Sequence, residues 1–419
     1  MEPGAVGSDA HPVQGQVLVH LSGQDQPGLT ASLMALLAEG QAEVLDVEQI
    51  AIRQRLQLSV LITMPEGRDL FKELLLFGWE RGVQIDFEMV PDSPTTQAGP
   101  TQSFRHLPWF AVTLLAQSIS ATQLHAAARA IAEGGGNIER ITCLAQYPVR
   151  SYELLVSAPE IDAIRSGLLA AARSDRFDVA VQREGLTRRA MRLVALDVDS
   201  TLIQNEVIDL LAAEAGCEAA VAAITERAMA GELDFEQALR ERVAHLAGLE
   251  TSVLEGARHR LRLTPGARTF VRTLKRLGYK VALLSGGFTV FTDHLSAELG
   301  VDYAFANCLE VREGRLTGRL EGPVVDRARK AELLRQVAAS EGIDLAQTVA
   351  VGDGANDLDM LATAGLGIAF NAKAVVRDAA DTAVSVPFLD AILFVLGIRR
   401  DDVVEADQAD GLGDVGSLQ

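Results

Sequence analysis

The spacing of apolar residues along this chain changes character twice. Over residues 16–90, short strand-like runs such as VLVHL (17–21) and SVLITMP (59–65) flank a segment whose Leu29, Leu33, Leu36 and Leu37 recur at helical spacing. Shifting the chain by 94 positions lays VLVHL on AVTLL (111–115), LLAEG (36–40) on AIAEG (130–134) and SVLITMP on ELLVSAP (153–159) without a gap. Each copy therefore predicts strand, helix, strand, strand, helix, strand. PDSPTTQAGPTQS (91–103), rich in Pro, Ser, Thr and Gly, reads as the linker between them. From about Met191 the strands become continuously apolar and alternate with helices: LVALDVD (193–199), KVALLSGG (280–287) and TVAVGDG (348–354).

These patterns predict two ferredoxin-like α+β modules at 16–90 and 107–185, joined by a linker at 91–106. An α/β domain with a doubly wound parallel sheet follows over 190–398, interrupted by a helical cap at about 205–263. The first fifteen residues and the acidic tail, 399–419, are expected to be disordered.

Composition narrows the function. The chain has 419 residues, 48% of them hydrophobic, and a net charge of −19. That charge argues against electrostatic binding of nucleic acid or of an anionic membrane, so an anionic ligand needs a metal or a few placed Lys and Arg residues. No run approaches the roughly 18 apolar residues of a membrane span. MEPGAVGSDAHPVQG lacks the basic region and apolar core of a signal peptide, and a cytoplasmic protein is expected. Cys143, Cys217 and Cys308 are far apart and odd in number, and are expected to be inert core residues.

The chemistry gathers at the strand ends. Asp197 and Asp199 close the first apolar strand of the third domain, although Asp is a poor strand former and is rarely buried unpaired. A bland reading makes them turn and N-cap residues. The sharper one places a hard divalent cation between two repelling carboxylates. Ligands of doubly wound sheets bind outside the strands' carboxyl ends. Ser285 and Gly286 of LLSGG and Asp353, Asn356 and Asp357 of VGDGANDLDM reach the same crevice, with Lys330 of DRARKAELL nearby.

This set, in this order, resembles the haloacid-dehalogenase-like (HAD) superfamily of phosphotransferases. The resemblance implies Asp197 as nucleophile and Asp199 as general acid and base. It implies Mg²⁺ between the Asp197 side chain, the Asp199 carbonyl and the Asp353 side chain, with Asp357 orienting the metal shell or Lys330. Ser285, Gly286, Lys330 and Asn356 would hold the phosphoryl group. Superfamily ATPases carry Thr, and dehalogenases lack an Asp, at the position of Asp199, which favours a phosphatase.

ITERAMAGELDFEQALRERVAHLAGL (224–249) is similar to the cap of the phosphoserine phosphatase family, through Met229, Gly231, Asp234, Phe235 and Arg242. Glu206 matches that family too. Arg242 would take the carboxylate and Glu206 the ammonium of O-phospho-L-serine, with Met229 and Phe235 shedding water. Ala238 departs from the Ser that many relatives carry. SGQDQPGL (22–29) resembles the first loop of ACT domains, amino-acid-sensing modules, through Gly23, Asp25 and Gly28. AQSISATQ in the second copy lacks both glycines and the proline. The resemblance implies L-serine as a regulatory ligand and a homodimer formed through these modules. Two alternatives stay open: a HAD monoesterase for another small phosphate, and a non-catalytic amino-acid sensor built on an inactive phosphatase.

Overall fold

The structure, a computed structural model, describes residues 16–63, 70–90, 107–230 and 232–412. The expected disordered N-terminus and the 91–103 linker lie outside the described residues, as do Gly231 and the side chain of Met229. The chain divides into two compact units, residues 1–99 and 100–419.

The first unit runs β1 (Gln16–Gln24), α1 (Leu29–Glu39), β2 (Glu43–Ile52), β3 (Arg55–Thr63), α2 (Leu70–Arg81) and β4 (Gln84–Val90). Its antiparallel sheet has the order β2-β3-β1-β4. Alternate residues of β1, Val17, Val19 and Leu21, bury against Leu29, Leu33 and Leu37 of α1. β2 is an outer strand, exposed along its whole length, and presents Val47, Ile50 and Ile52 to solvent. Gly28 caps α1 at φ 85°, a left-handed conformation that favours glycine.

The second unit opens with β5 (Trp109–Ala116), α3 (Ala121–Glu133), β6 (Asn137–Ala145), β7 (Arg150–Ser157), α4 (Asp162–Asp175) and β8 (Asp178–Arg183), again an antiparallel sheet, ordered β6-β7-β5-β8. Here both faces are covered. Val112 and Leu114 face α3 and α4, while Leu115, Leu144, Ala145, Val149 and Ala180 join the core of the segment that follows. The Gln182 amide donates to the Val395 carbonyl at 2.7 Å, and Arg188 ties Glu153 to Glu184.

The remainder runs α5 (Leu186–Arg189), β9 (Leu193–Leu196), α6 (Val207–Ala215), α7 (Glu218–Met229), α8 (Phe235–Ala244), α9 (Ser252–His259), α10 (Ala267–Arg276), β10 (Lys280–Phe288), α11 (Thr289–Leu299), β11 (Tyr303–Arg312), β12 (Arg315–Glu321), α12 (Arg327–Ser340), β13 (Thr348–Gly352), α13 (Leu358–Thr363), β14 (Leu366–Phe370), α14 (Ala374–Ala379), β15 (Thr382–Val384), α15 (Ile392–Val395) and α16 (Arg400–Ala409). The seven-stranded sheet has the order β12-β11-β10-β9-β13-β14-β15, and only β12 is antiparallel to its neighbour. Val194 and Leu196 of β9 bury on one face, with Phe270 and Phe291, and Leu193 and Ala195 on the other, with Leu334 and Met360. Two covered faces explain why these strands read as unbroken apolar runs.

Two expectations need correction. The acidic tail is not disordered throughout: α16 forms, buries Val403, and sets Asp407 against Arg272 and Arg276. Opposite charge on α10 holds the segment that composition alone made look unstructured. Nor are the cysteines fully buried, although Cys217 packs against the core. Cys143 is exposed on an outer strand, Cys217 and Cys308 are half-buried, and all three are free. Among the described residues no helix is long and apolar enough to cross a membrane.

Candidate active site

β9 lies between β10 and β13, all three parallel, so their carboxyl ends open on one edge of the sheet. Asp197 leaves β9 there, its backbone N–H still donating to the Val351 carbonyl at 2.9 Å. The next residues make a tight turn in which Ser200 adopts φ 56°, a costly conformation for a non-glycine residue. The turn is held from several sides. Ser200 Oγ donates to Glu206 Oε1 at 2.7 Å, Val207 N donates to Asp199 Oδ1 at 3.0 Å, and Thr264 Oγ1 donates to the Thr201 carbonyl at 2.7 Å.

Lys330 sits one turn into α12, whose first residues are capped by Asp326. Its side chain is wholly buried, with Nζ 2.6 Å from Asp197 Oδ1 and 2.7 Å from Asp357 Oδ1. A solvated helix-start lysine is thereby excluded. Asp197 Oδ1 also accepts from Val198 N at 2.7 Å, which leaves Oδ2 without a hydrogen-bond partner among the described residues. Asp357 is fully committed: Oδ1 to Lys330, Oδ2 to the Gly354 N–H at 3.0 Å.

Negative charge is crowded here. One oxygen each from Asp197, Asp353 and Asp357 lie within 4.8 Å of one another. Burial and the Asp357 carboxylate push the Asp197 carboxyl upward, with Lys330 as the counterweight. Burial and Glu206 raise Asp199 to about 7, and burial with Asp357 raises Asp353 to about 6. Burial opposes the charge on Lys330, yet Asp197 and Asp357 hold its ammonium above the usual range. Three convergent carboxylates against one lysine suit a hard cation with oxygen ligands, so this buried acidic cluster can hold a metal ion. Asp357 joins the cluster by position, but both of its oxygens already hold protein partners, Lys330 and the Gly354 N–H.

The surrounding residues expected from sequence also gather here. Ser285 is buried at the end of β10, and its Oγ accepts from Gly287 N at 2.9 Å. A Cβ on Gly286 would stand 3.0 Å from the Phe235 ring, so the glycine lets the cap close over this loop. Thr201 Oγ1 donates to Asp353 Oδ1 at 3.2 Å, and Asn356 lies beside Gly354. On α8, Arg242 donates through Nε to the Ala238 carbonyl at 3.2 Å, and burial lowers its guanidinium pKa. Glu206 attracts it without forming an ion pair, which leaves one cationic and one anionic group on the rim. Ala238 is buried within the helix. Asn307 escaped the sequence reading, although an Asn inside the strand run YAFAN was the available signal. Gly23, Asp25 and Gly28 belong to the other compact unit.

Comparison with known proteins places these features. Residues 194–362 match the haloacid dehalogenase-like hydrolase family, and residues 15–88 and 109–182 each match an ACT domain. A phosphoserine phosphatase of Streptomyces coelicolor is 52% identical over 95% of this chain and 96% of its own. One of Mycobacterium tuberculosis is 44% identical over 95% and 97%. A crystal structure of a probable phosphoserine phosphatase from Vibrio cholerae, unliganded, covers 71% of this chain and 88% of its own, at 35% identity and a TM-score of 0.55.

Proposed function

Because this chain belongs to the phosphoserine phosphatase family, with two ACT domains ahead of its haloacid dehalogenase-like hydrolase domain, we propose that it hydrolyses O-phospho-L-serine to L-serine and phosphate. The observation that carries the reading is the buried Lys330 ammonium bridging Asp197 and Asp357, with Arg242 and Glu206 of the same site not ion-paired to each other.

Asp197 attacks phosphorus through Oδ2, since both of its protein hydrogen bonds fall on Oδ1. Forming an aspartyl-phosphate divides a slow displacement into two easier ones. Asp199, with its carboxyl near 7, donates a proton to the departing serine oxygen and then takes one from the water that cleaves the acyl phosphate. Ser285, the Gly286 amide, Lys330 and Asn356 hold the phosphoryl oxygens. Asp197, Asp353 and the Asp199 carbonyl would hold Mg²⁺, which supplies positive charge against the repulsion between carboxylate and phosphate. Asp357 orients Lys330.

Arg242 receives the substrate carboxylate and Glu206 its ammonium, while Phe235 excludes water and Met229 is assigned the same part. The ACT domains bind L-serine as feedback ligand, at Gly23, Asp25 and Gly28 in the first. The exposed β2, with its apolar Val47, Ile50 and Ile52, supports homodimer formation through this module in a cytoplasmic enzyme. Hydrolysis rates across phosphoserine, phosphothreonine, a phosphosugar and p-nitrophenyl phosphate test the substrate. A preference for the phosphosugar would overturn it.

A further inference from the structure

Asn307 lies on β11, opposite Phe288 of β10, and is 1% exposed. Its amide Nδ2 donates to the Gly286 carbonyl at 2.8 Å and to the Gly287 carbonyl at 3.2 Å. Its Oδ1 accepts from the Val325 N–H at 2.8 Å. The partners fix which end is which, because two carbonyls demand the NH₂ and an N–H demands the oxygen. One buried side chain thus joins the loop of Ser285 to the segment leading into the helix of Lys330.

We propose that Asn307 is a positioning residue for phosphoryl transfer, acting on Ser285 through the peptide planes of Gly286 and Gly287. A peptide unit is planar and trans, so its N–H points opposite to its carbonyl. With the Gly286 carbonyl held by Asn307, the Gly287 N–H is aimed the other way, and it meets Ser285 Oγ at 2.9 Å. A hydroxyl that accepts this bond keeps its own proton for donation into the crevice. Two successive glycines are otherwise the most pliable stretch of backbone available, and the Asn307 amide fixes their carbonyls. Gly287 must also stay in place because it lies against Asp199: a Cβ there would approach Asp199 Oδ2 to 2.8 Å. The Val325 bond anchors the amide from the opposite side. The proposal rests on the reading that Ser285 handles the phosphoryl group.

Asn307→Asp keeps size and the Val325 bond, while removing both donors and setting a carboxylate against two carbonyl oxygens. It is expected to lower kcat about 10- to 100-fold, for phosphoserine and p-nitrophenyl phosphate alike, with KM for phosphoserine within about threefold. The decisive comparison is a double-mutant cycle with Ser285→Ala. If Asn307 acts through Ser285, then Asn307→Asp costs less than about threefold in the Ser285→Ala background. A purely structural role gives the same fold-loss in both backgrounds and overturns the proposal. If Asn307→Asp does not fold, Asn307→Ser, which keeps one hydroxyl donor, carries the same cycle. A wild-type enzyme that ignores phosphoserine would overturn the substrate reading instead, and the cycle on p-nitrophenyl phosphate would still decide the role of Asn307.

Discussion

At the scale of single residues, the account depends on carboxylates forced together. Asp197→Asn should reduce turnover to below about 1% of wild type, because an amide is no useful nucleophile toward phosphorus. Substantial residual turnover would return Asp197 to a merely structural part. The raised pKa values of Asp199 and Asp353 carry a second consequence, for the metal-free protein. In the fold their neutral forms are favoured, so between about pH 4 and their folded values the folded state binds more protons than the unfolded one. Their contribution to stability is complete below about pH 4 and is lost as pH rises toward 7. Thermal melts without metal should therefore show a midpoint falling across that window from this source. Added Mg²⁺ should restore it most at the alkaline end, and Asp353→Asn should flatten the slope. A melting curve indifferent to Mg²⁺ would contradict the cation site. Asp197, Asp199 and Asp353 were legible in the sequence because each ends an apolar strand, whereas Lys330, in the basic run DRARK, was reached only through the family resemblance. Asn307 was not legible, since its value lies in carbonyls contributed by another strand.

Individual elements decide selectivity. The helix α8 carries Phe235 at its first turn and Arg242 near its last, so one element brings both the hydrophobic cover and the guanidinium to the crevice. Arg242→Ala should cost about 2–4 kcal/mol in kcat/KM for phosphoserine, by leaving the substrate carboxylate unpaired. It should barely affect p-nitrophenyl phosphate, and equal losses on both would assign Arg242 to the phosphate or the fold. The strands teach a different lesson. The first module's VLVHL and the second module's AVTLL each carry one polar residue in five and superpose in the repeat, yet they are buried differently. The structure gives the reason: β1 buries one face, whereas β5 is buried on both, with Leu115 in the core shared with the phosphatase segment. That difference was not legible in these two runs, which are equally apolar. Short apolar runs do not say how many of their faces are covered, nor by what.

At the scale of the molecule, the second ACT domain belongs physically to the phosphatase domain. Removing residues 1–106 should leave a folded, active enzyme, since the second unit is compact in itself. Removing residues 1–186 should not, because it strips Leu115, Leu144, Val149 and Ala180 from a common core. Exposing even two large apolar side chains costs about 3 kcal/mol or more. Thermal melts and phosphatase assays of the two truncations check this, and equal stability would refute the shared core. The shorter truncation also separates regulation from product inhibition. It should lose inhibition by L-serine at the first ACT domain while retaining weak competition at the active site. Gly28→Asp in the full chain should do the same through bulk and like charge, although φ 85° adds strain for any side chain.

The most direct test of the central claim is an acid quench of the enzyme during turnover of phosphorus-labelled O-phospho-L-serine, followed by mapping of the labelled peptide. The predicted result is alkali-labile phosphate on Asp197, absent from Asp197→Asn and accumulating when Asp199 is replaced by Asn, provided the first transfer still proceeds. Phosphate release with no label on the protein, or with label on another residue, would contradict the account.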